Sequence, residues 1–240
     1  MNPNDPNVAL LEIVAERLGD ALRDEMVFVG GAVAGLLITD PALPAIRPTE
    51  DVDMICRALV RTDYYRIETA LRERGFVQDL RAEAPICRWR IGAGNSAVTV
   101  DVMPTLEEIL GFANRWYPLA LETALPVALP SGRSIRLIAA PVFVATKLEA
   151  FHGRGRGDFL FSHDLGDLLA VVDGRAALLE ECRAGPPELQ RYLGERFRAL
   201  LADPAFMEAL PGHLPTDLAN QERLPDLQAN LRALAVLLQP

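Results

Sequence analysis

Apolar residues recur at helical spacing over residues 7–23, where Val8, Leu11, Val14, Ala15, Leu18 and Leu22 form one stripe, and this predicts an amphipathic helix. A short apolar run at 26–29 predicts a strand, which turns through Gly30-Gly31 into a second apolar run at 32–38 that predicts a helix. Prolines at 41, 44 and 48 make 39–50 a loop. Residues 51–56 predict a second strand. A helix is expected from 62 or 63 to 74, with Thr62 or Asp63 as its N-cap and Gly75 as its stop. Residues 76–79, 86–91 and 97–103 predict three more strands, with a turn at 92–95 between the last two. A short helix at 105–112 follows, then a hairpin of 119–129 and 134–138 around the turn at 130–133.

Beyond residue 139 the pattern becomes helical. Pro141 occupies a favoured first-turn position and opens a helix over 141–152. Residues 162–172, 186–201, 205–210 and 224–238 predict further helices, separated by prolines and glycines. There is no internal repeat and no low-complexity tract. This order predicts an α+β fold: a mixed-sheet core over 1–138, then a helical region over 139–240 that completes an active-site cleft. A chain of 240 residues suits one large domain or one domain with a helical extension.

Composition narrows the class. Half the residues are hydrophobic and 24% are charged, enough for a packed core and against wholesale disorder. The net charge of −9 argues against broad non-specific nucleic-acid binding, although a local basic groove remains open. Cys56, Cys87 and Cys182 are far apart with no C-x-x-C, which reads as reduced thiols in a cytoplasmic protein. The N-terminus has no basic region followed by an apolar core, so no signal peptide is indicated. No window approaches the roughly 18 uninterrupted apolar residues of a membrane span.

The candidate chemistry centres on residues 27–55. A strand that turns into a helix through two glycines brings backbone N–H groups close to a ligand at the positive helix end, a good place for phosphate. Asp51 and Asp53 sit two apart on the next predicted strand and therefore share a face. Neighbouring carboxylates repel unless a cation sits between them. Arg47, just before the pair, is placed to contact a phosphate. In the third later strand Val98, Val100 and Val102 face one way, and Thr99, Asp101 and Met103 the other. An acid in so apolar a strand is costly unless paired or bound to metal, which makes Asp101 the third candidate carboxylate. The alternative is an edge-strand Asp facing water. Three convergent carboxylates can hold one or two Mg²⁺ ions at most about 4 Å apart.

The basic residues are 23 arginines and one lysine, Lys147. A lone lysine in an arginine-biased chain marks a position that wants a compact point charge, such as a phosphate contact, with chance retention of a surface residue as the alternative. Asp164 and Asp167 lie three apart on one face of a predicted helix. Other motifs fail. There is no Walker-type P-loop and no G-x-S-x-G elbow. Gly153–Gly157 follows a helix rather than a strand, so it is no dinucleotide fingerprint. Its Arg154 and Arg156 suit either a phosphate or RNA contact or a plain surface turn. His152, His163 and His213 have no partners at zinc-ligand spacing.

Four motifs in order carry a family resemblance: GG, then RPTEDVDM, then VTVDVM, then ATKLEAFHGRGRGDFLFSHDLGDLLAVVDGR. Over roughly residues 25–175 they resemble the nucleotidyltransferase (polymerase-beta-like) fold of the AbiEii/MenT-type toxins and related enzymes. The resemblance implies a mixed sheet with flanking helices and a helical C-terminal part. It also implies transfer of a nucleoside monophosphate from an NTP, with Mg²⁺ or Mn²⁺, to an acceptor hydroxyl. In MenT-like members the acceptor is the 3′ end of tRNA, and the toxin is neutralised by an antitoxin protein. By position, Gly30 and Gly31 match the phosphate turn, Asp51 and Asp53 the metal pair, and Asp101 the third acid that helps deprotonate the attacking hydroxyl. Lys147 matches the triphosphate lysine, and Asp164 and Asp167 match the later acidic positions that orient it or assist chemistry. Ala32 follows Gly-Gly where many such enzymes have Gly-Ser, and Thr49 stands where several relatives have Ser. Two other readings share these residues: a small-molecule, antibiotic-type nucleotidyltransferase and a non-catalytic binding module of the same fold.

Overall fold

The N-terminal apolar stripe folds as α1 (Val8–Asp24), with Leu11, Val14, Ala15, Leu18 and Leu22 buried. In this computed structural model, residues 5–94, 97–155 and 157–238 are described. Helix α1 is not one unbroken helix as its periodicity predicts. Gly19 sits at φ +66, and a side chain there would meet the Arg74 guanidinium at 2.2 Å.

Among the described residues the chain forms two compact units, one of residues 5–35 and 47–139 and one of 36–46 and 140–238. The first is a sheet unit. Its strands are β1 (Met26–Val29), β2 (Asp51–Cys56), β3 (Val77–Gln78), β4 (Arg88–Ile91), β5 (Val98–Pro104), β6 (Leu125–Ala128) and β7 (Ser134–Leu137). They make one mixed sheet in the order β3-β4-β5-β2-β1-β7-β6. β1 runs antiparallel to β2 and parallel to β7, and β2 runs parallel to β5. All four residues of β1 are buried, as suits a central strand covered on both faces. Helix α1 lies along β7, β1, β2 and β5. After β1 come a 3₁₀ turn, Gly31–Val33, and α2 (Ala34–Leu37). α3 (Arg61–Glu73) reaches β5 through the buried Tyr64 hydroxyl, which donates to the Val102 carbonyl at 2.7 Å. α4 (Glu107–Leu110) and α5 (Tyr117–Thr123) complete the helices of this unit.

Three local expectations are corrected. The cap of α3 is not supplied by Thr62 or Asp63 at the N-cap position. Val60 holds it, and Asp63 reaches back to accept from the N–H groups of Leu59 and Val60. The first hairpin strand does not begin at 119. Pro118 near the start of α5 suits a helix N-terminus, so residues 117–123 are helical and the strand starts at Leu125. The 32–38 helix is shorter than its apolar run suggests, a 3₁₀ turn followed by four α-helical residues.

The second unit is helical: α6 (Ala140–Arg154), α7 (His163–Gly174), α8 (Leu178–Ala184), α9 (Pro187–Ala202), α10 (Pro204–Ala209), α11 (Leu218–Gln221) and α12 (Leu224–Ala235). α6 packs on α7, α8 and α9, and α12 covers α9, α7 and α8. Helices α8 and α11 escaped sequence analysis because each is barely one or two turns long. Residues 36–46 belong here. The amides of Thr39 and Asp40 donate to the Gly174 carbonyl, and Arg223 joins Asp40 to Asp173. All three cysteines are buried free thiols. No helix among the described residues is long and apolar enough to cross a membrane. Asn95 and Arg156, which sequence analysis assigned to turns, lie outside the described residues.

Candidate metal centre

Parallel pairing of β2 with β5 sets Asp53 opposite Asp101, and Asp51 opposite Thr99. With a side-chain period of two, all three acids fall on one face of the sheet. Val52 and Met54 on β2, like Val100 and Val102 on β5, point to the other face and are fully buried. The apolar alternation therefore fixes the register that aligns the acids. Each acid offers an oxygen, and these three oxygens lie within 4.8 Å of one another. Asp101 is buried and Asp51 and Asp53 are half-buried. β5 has β2 on one side and β4 on the other, so the edge-strand reading of Asp101 does not hold.

Gly30 explains how the backbone admits this cluster. It follows β1, whose last residue Val29 pairs with Asp53. Its φ of +72 and ψ of −166 are open essentially to glycine alone. A Cβ built there would stand 1.9 Å from an Asp53 carboxylate oxygen. Whatever the turn does for a ligand, its glycine is required to let Asp53 lie against the chain. Gly31 and Ala32 are buried in the 3₁₀ turn that follows. A helical segment this short sums fewer peptide dipoles than the longer helix expected from sequence.

Two residues at this site escaped sequence analysis. Arg88 on β4 pairs with Asp101 in the antiparallel register. Its Nε and Nη2 donate to the two oxygens of Asp101 at 2.8 and 2.7 Å, and Nη2 lies 3.5 Å from Asp51. The Asp101 hydrogen bonds raise the guanidinium above its ordinary value, against partial burial. Only the alternation of Arg88 and Arg90 with Trp89 and Ile91 hinted at a polar face; nothing in the sequence gave the pairing partner. The second is Asn7, fully buried before α1. Its side chain makes no cap bond to the helix. Instead its Oδ1 accepts from the Thr49 amide at 2.8 Å, and its Nδ2 donates to the Arg47 carbonyl at 3.1 Å. Thr49 in turn donates its hydroxyl to the Asp51 carbonyl at 3.1 Å. Asn7 thus anchors the loop that delivers Asp51. Cys87, next to Arg88, has its thiol pushed up to about 12 by burial and by the Asp101 and Asp53 charges.

Lys147, Asp164 and Asp167 come together within the helical unit. Lys147 Nζ donates to Asp167 at 2.7 Å and to Asp164 at 3.1 Å. Asp164 lies in the first turn of α7, where the helix dipole favours negative charge, Asp167 follows one turn later, and Ser162 caps the helix. Burial pulls the Lys147 ammonium down, but Asp167 and Asp164 together outweigh it, so its net shift is upward.

The donor set fits a divalent ion. All three candidate ligands are hard carboxylate oxygens, the choice of Mg²⁺ and Mn²⁺ rather than zinc. No protein-family model and no curated sequence matches the chain. Among solved structures it is similar to JHP933 from Helicobacter pylori (TM-score 0.46, 12% identity, 95% of this chain and 91% of that one). It is also similar to a candidate nucleotidyltransferase from H. pylori (TM-score 0.44, 11% identity, 98% and 96%).

Proposed function

We propose that Asp51, Asp53 and Asp101 form a divalent-cation site and that the protein is an Mg²⁺- or Mn²⁺-dependent nucleotidyltransferase. It would transfer a nucleoside monophosphate from an NTP to an acceptor hydroxyl and release pyrophosphate. The observation that carries this reading is the convergence of three carboxylates from two paired strands beside a backbone position that tolerates no side chain. When bound, the ion supplies charge neutralisation at the phosphates and acidifies the attacking hydroxyl. Asp51 and Asp53 hold it, with Gly30 giving Asp53 its room. Asp101 supplies the third ligand oxygen. Both its oxygens are engaged by Arg88, so it takes the hydroxyl proton only once that guanidinium has moved. Gly30-Gly31, Arg47 and Thr49 are assigned to the phosphates on the family resemblance. The resemblance assigns Lys147 there too, but Asp164 and Asp167 hold its buried ammonium within the helical unit, and that cluster serves the fold.

The same resemblance extends the proposal to tRNA as acceptor and to a toxin held by an antitoxin protein. The net charge of −9 favours a second reading, transfer to a small molecule, since an acidic chain repels a polyanionic acceptor. Incubation with each labelled NTP and Mg²⁺, with and without total RNA, separates the two. Label in tRNA supports the toxin reading, and label confined to small molecules sinks it. If Asp53→Ala kept full transfer, the metal assignment would be wrong. Absence of both transfer and metal-dependent NTP binding would leave an inert binding module.

A further inference from the structure

A metal at the acid cluster meets a competitor already in place. Arg88 accounts for both oxygens of Asp101 with a side-on fork and approaches Asp51 as well. The guanidinium is a positive charge on two of the three candidate ligands, where a divalent ion would also sit. A fork of this kind is among the stronger hydrogen-bonded ion pairs in proteins. It is also not sealed: the Arg88 side chain is 26% exposed, so it can leave without opening the core.

We infer that Arg88 is a displaceable latch that competes with the metal for Asp101. This deepens the metal reading and rests on it. With Arg88 engaged, Asp101 has its oxygens committed and the cluster carries one fewer uncompensated negative charge. A divalent ion must therefore draw Asp101 out of the fork and tolerate a neighbouring cation. A polyphosphate brought in with the ion gives the displaced guanidinium an anion to hold, because arginine forks match phosphate as well as carboxylate. Arg88 thereby makes metal binding weak alone and stronger with nucleotide, a coupling that runs equally in both directions.

The test is Mn²⁺ binding, followed by electron paramagnetic resonance of the free ion, with and without a non-hydrolysable NTP analogue. Arg88→Gln binds Mn²⁺ alone about tenfold more tightly than the unaltered protein, within the usual range of such couplings. It then gains less from the analogue than the unaltered protein does. Arg88→Lys keeps a charge and loses the fork; it shifts the same way by less, and it serves if Arg88→Gln fails to fold by circular dichroism. Equal or weaker Mn²⁺ binding in the variants, with clear binding in the unaltered protein, overturns the latch and leaves the metal centre standing. No Mn²⁺ binding in any of them overturns the metal centre, and the latch with it.

Discussion

Each unit of this chain gathers acids around a cationic side chain, Lys147 in one and Arg88 in the other, and the two settings differ. In the helical unit Lys147, Asp164 and Asp167 all have side chains less than a tenth exposed. Asp164 stands in the first turn of α7, where the helix dipole offsets part of the surplus negative charge. In the sheet unit the Arg88 guanidinium reaches Asp101 and Asp51, the Asp51 side chain is 39% exposed, and the paired strands offer no comparable dipole. A closed, matched ion cluster behaves as part of the fold. An open group of carboxylates on a half-buried sheet face is the arrangement expected of the proposed cation site.

That contrast is sharpest when each cluster loses a member. Asp53→Ala removes a half-buried acid beside two other carboxylates, so its melting temperature without metal changes far less than that of Lys147→Met. Its nucleotidyl transfer falls about a thousandfold or more, since metal stabilisation of the transition state is worth several kcal/mol. Lys147→Met does the reverse to the fold. It strands two buried carboxylates, at a cost of about 3–5 kcal/mol by chemical denaturation. The pH dependence follows the same logic. Lys147 is raised above its ordinary 10.5, so its stabilisation is complete below that pH and fades as pH climbs through the higher folded value. An alkaline loss of stability that Lys147→Met lacks would mark this cluster as structural. If Lys147→Met melted like the unaltered protein, the two clusters would not differ in kind.

The acids of both clusters are more legible in the sequence than their partners, for a physical reason. Asp51 and Asp53 lie on one face because of strand periodicity, and Asp164 and Asp167 because of helical periodicity; both are local rules. Asp101 stood out because an acid in so apolar a strand needs an explanation. Arg88 and Asn7 act across the sheet and across 40 residues of chain respectively, and no local pattern encodes a register or a loop path. The same limit applies to Gly30, which reads as a phosphate turn from sequence alone. Its neighbour Asp53 comes into view only once β1 and β2 are paired. Long periodic helices such as α1 and α9 were legible. Short ones such as α5 were lost to the competing apolar pattern of the strand beside them.

Gly30→Ala probes the open cluster through its backbone. The substitution forces a side chain into a conformation reserved for glycine and against the Asp53 carboxylate. The strain is about 2–3 kcal/mol of stability, unless Asp53 swings away. Either response disturbs the centre, so Mn²⁺ affinity and transfer fall together. A variant that kept both would show that Asp53 need not lie against Gly30.

The smallest effect belongs to Asn7→Ala, because it touches the cluster only through the loop before Asp51. Losing the side chain leaves the Thr49 amide and the Arg47 carbonyl without their buried partner. Thr49 is only half-buried, so water recovers part of the loss, and the net cost is about 1 kcal/mol. The loop then holds Asp51 less firmly, and since each tenfold in affinity is about 1.4 kcal/mol, Mn²⁺ binding weakens severalfold at most. The alkaline stability loss assigned to Lys147 belongs to the helical unit's own ion cluster and should be the same in Asn7→Ala as in the unaltered protein. A change in that alkaline limb would mean that the loop supports more of the fold than the delivery of one carboxylate.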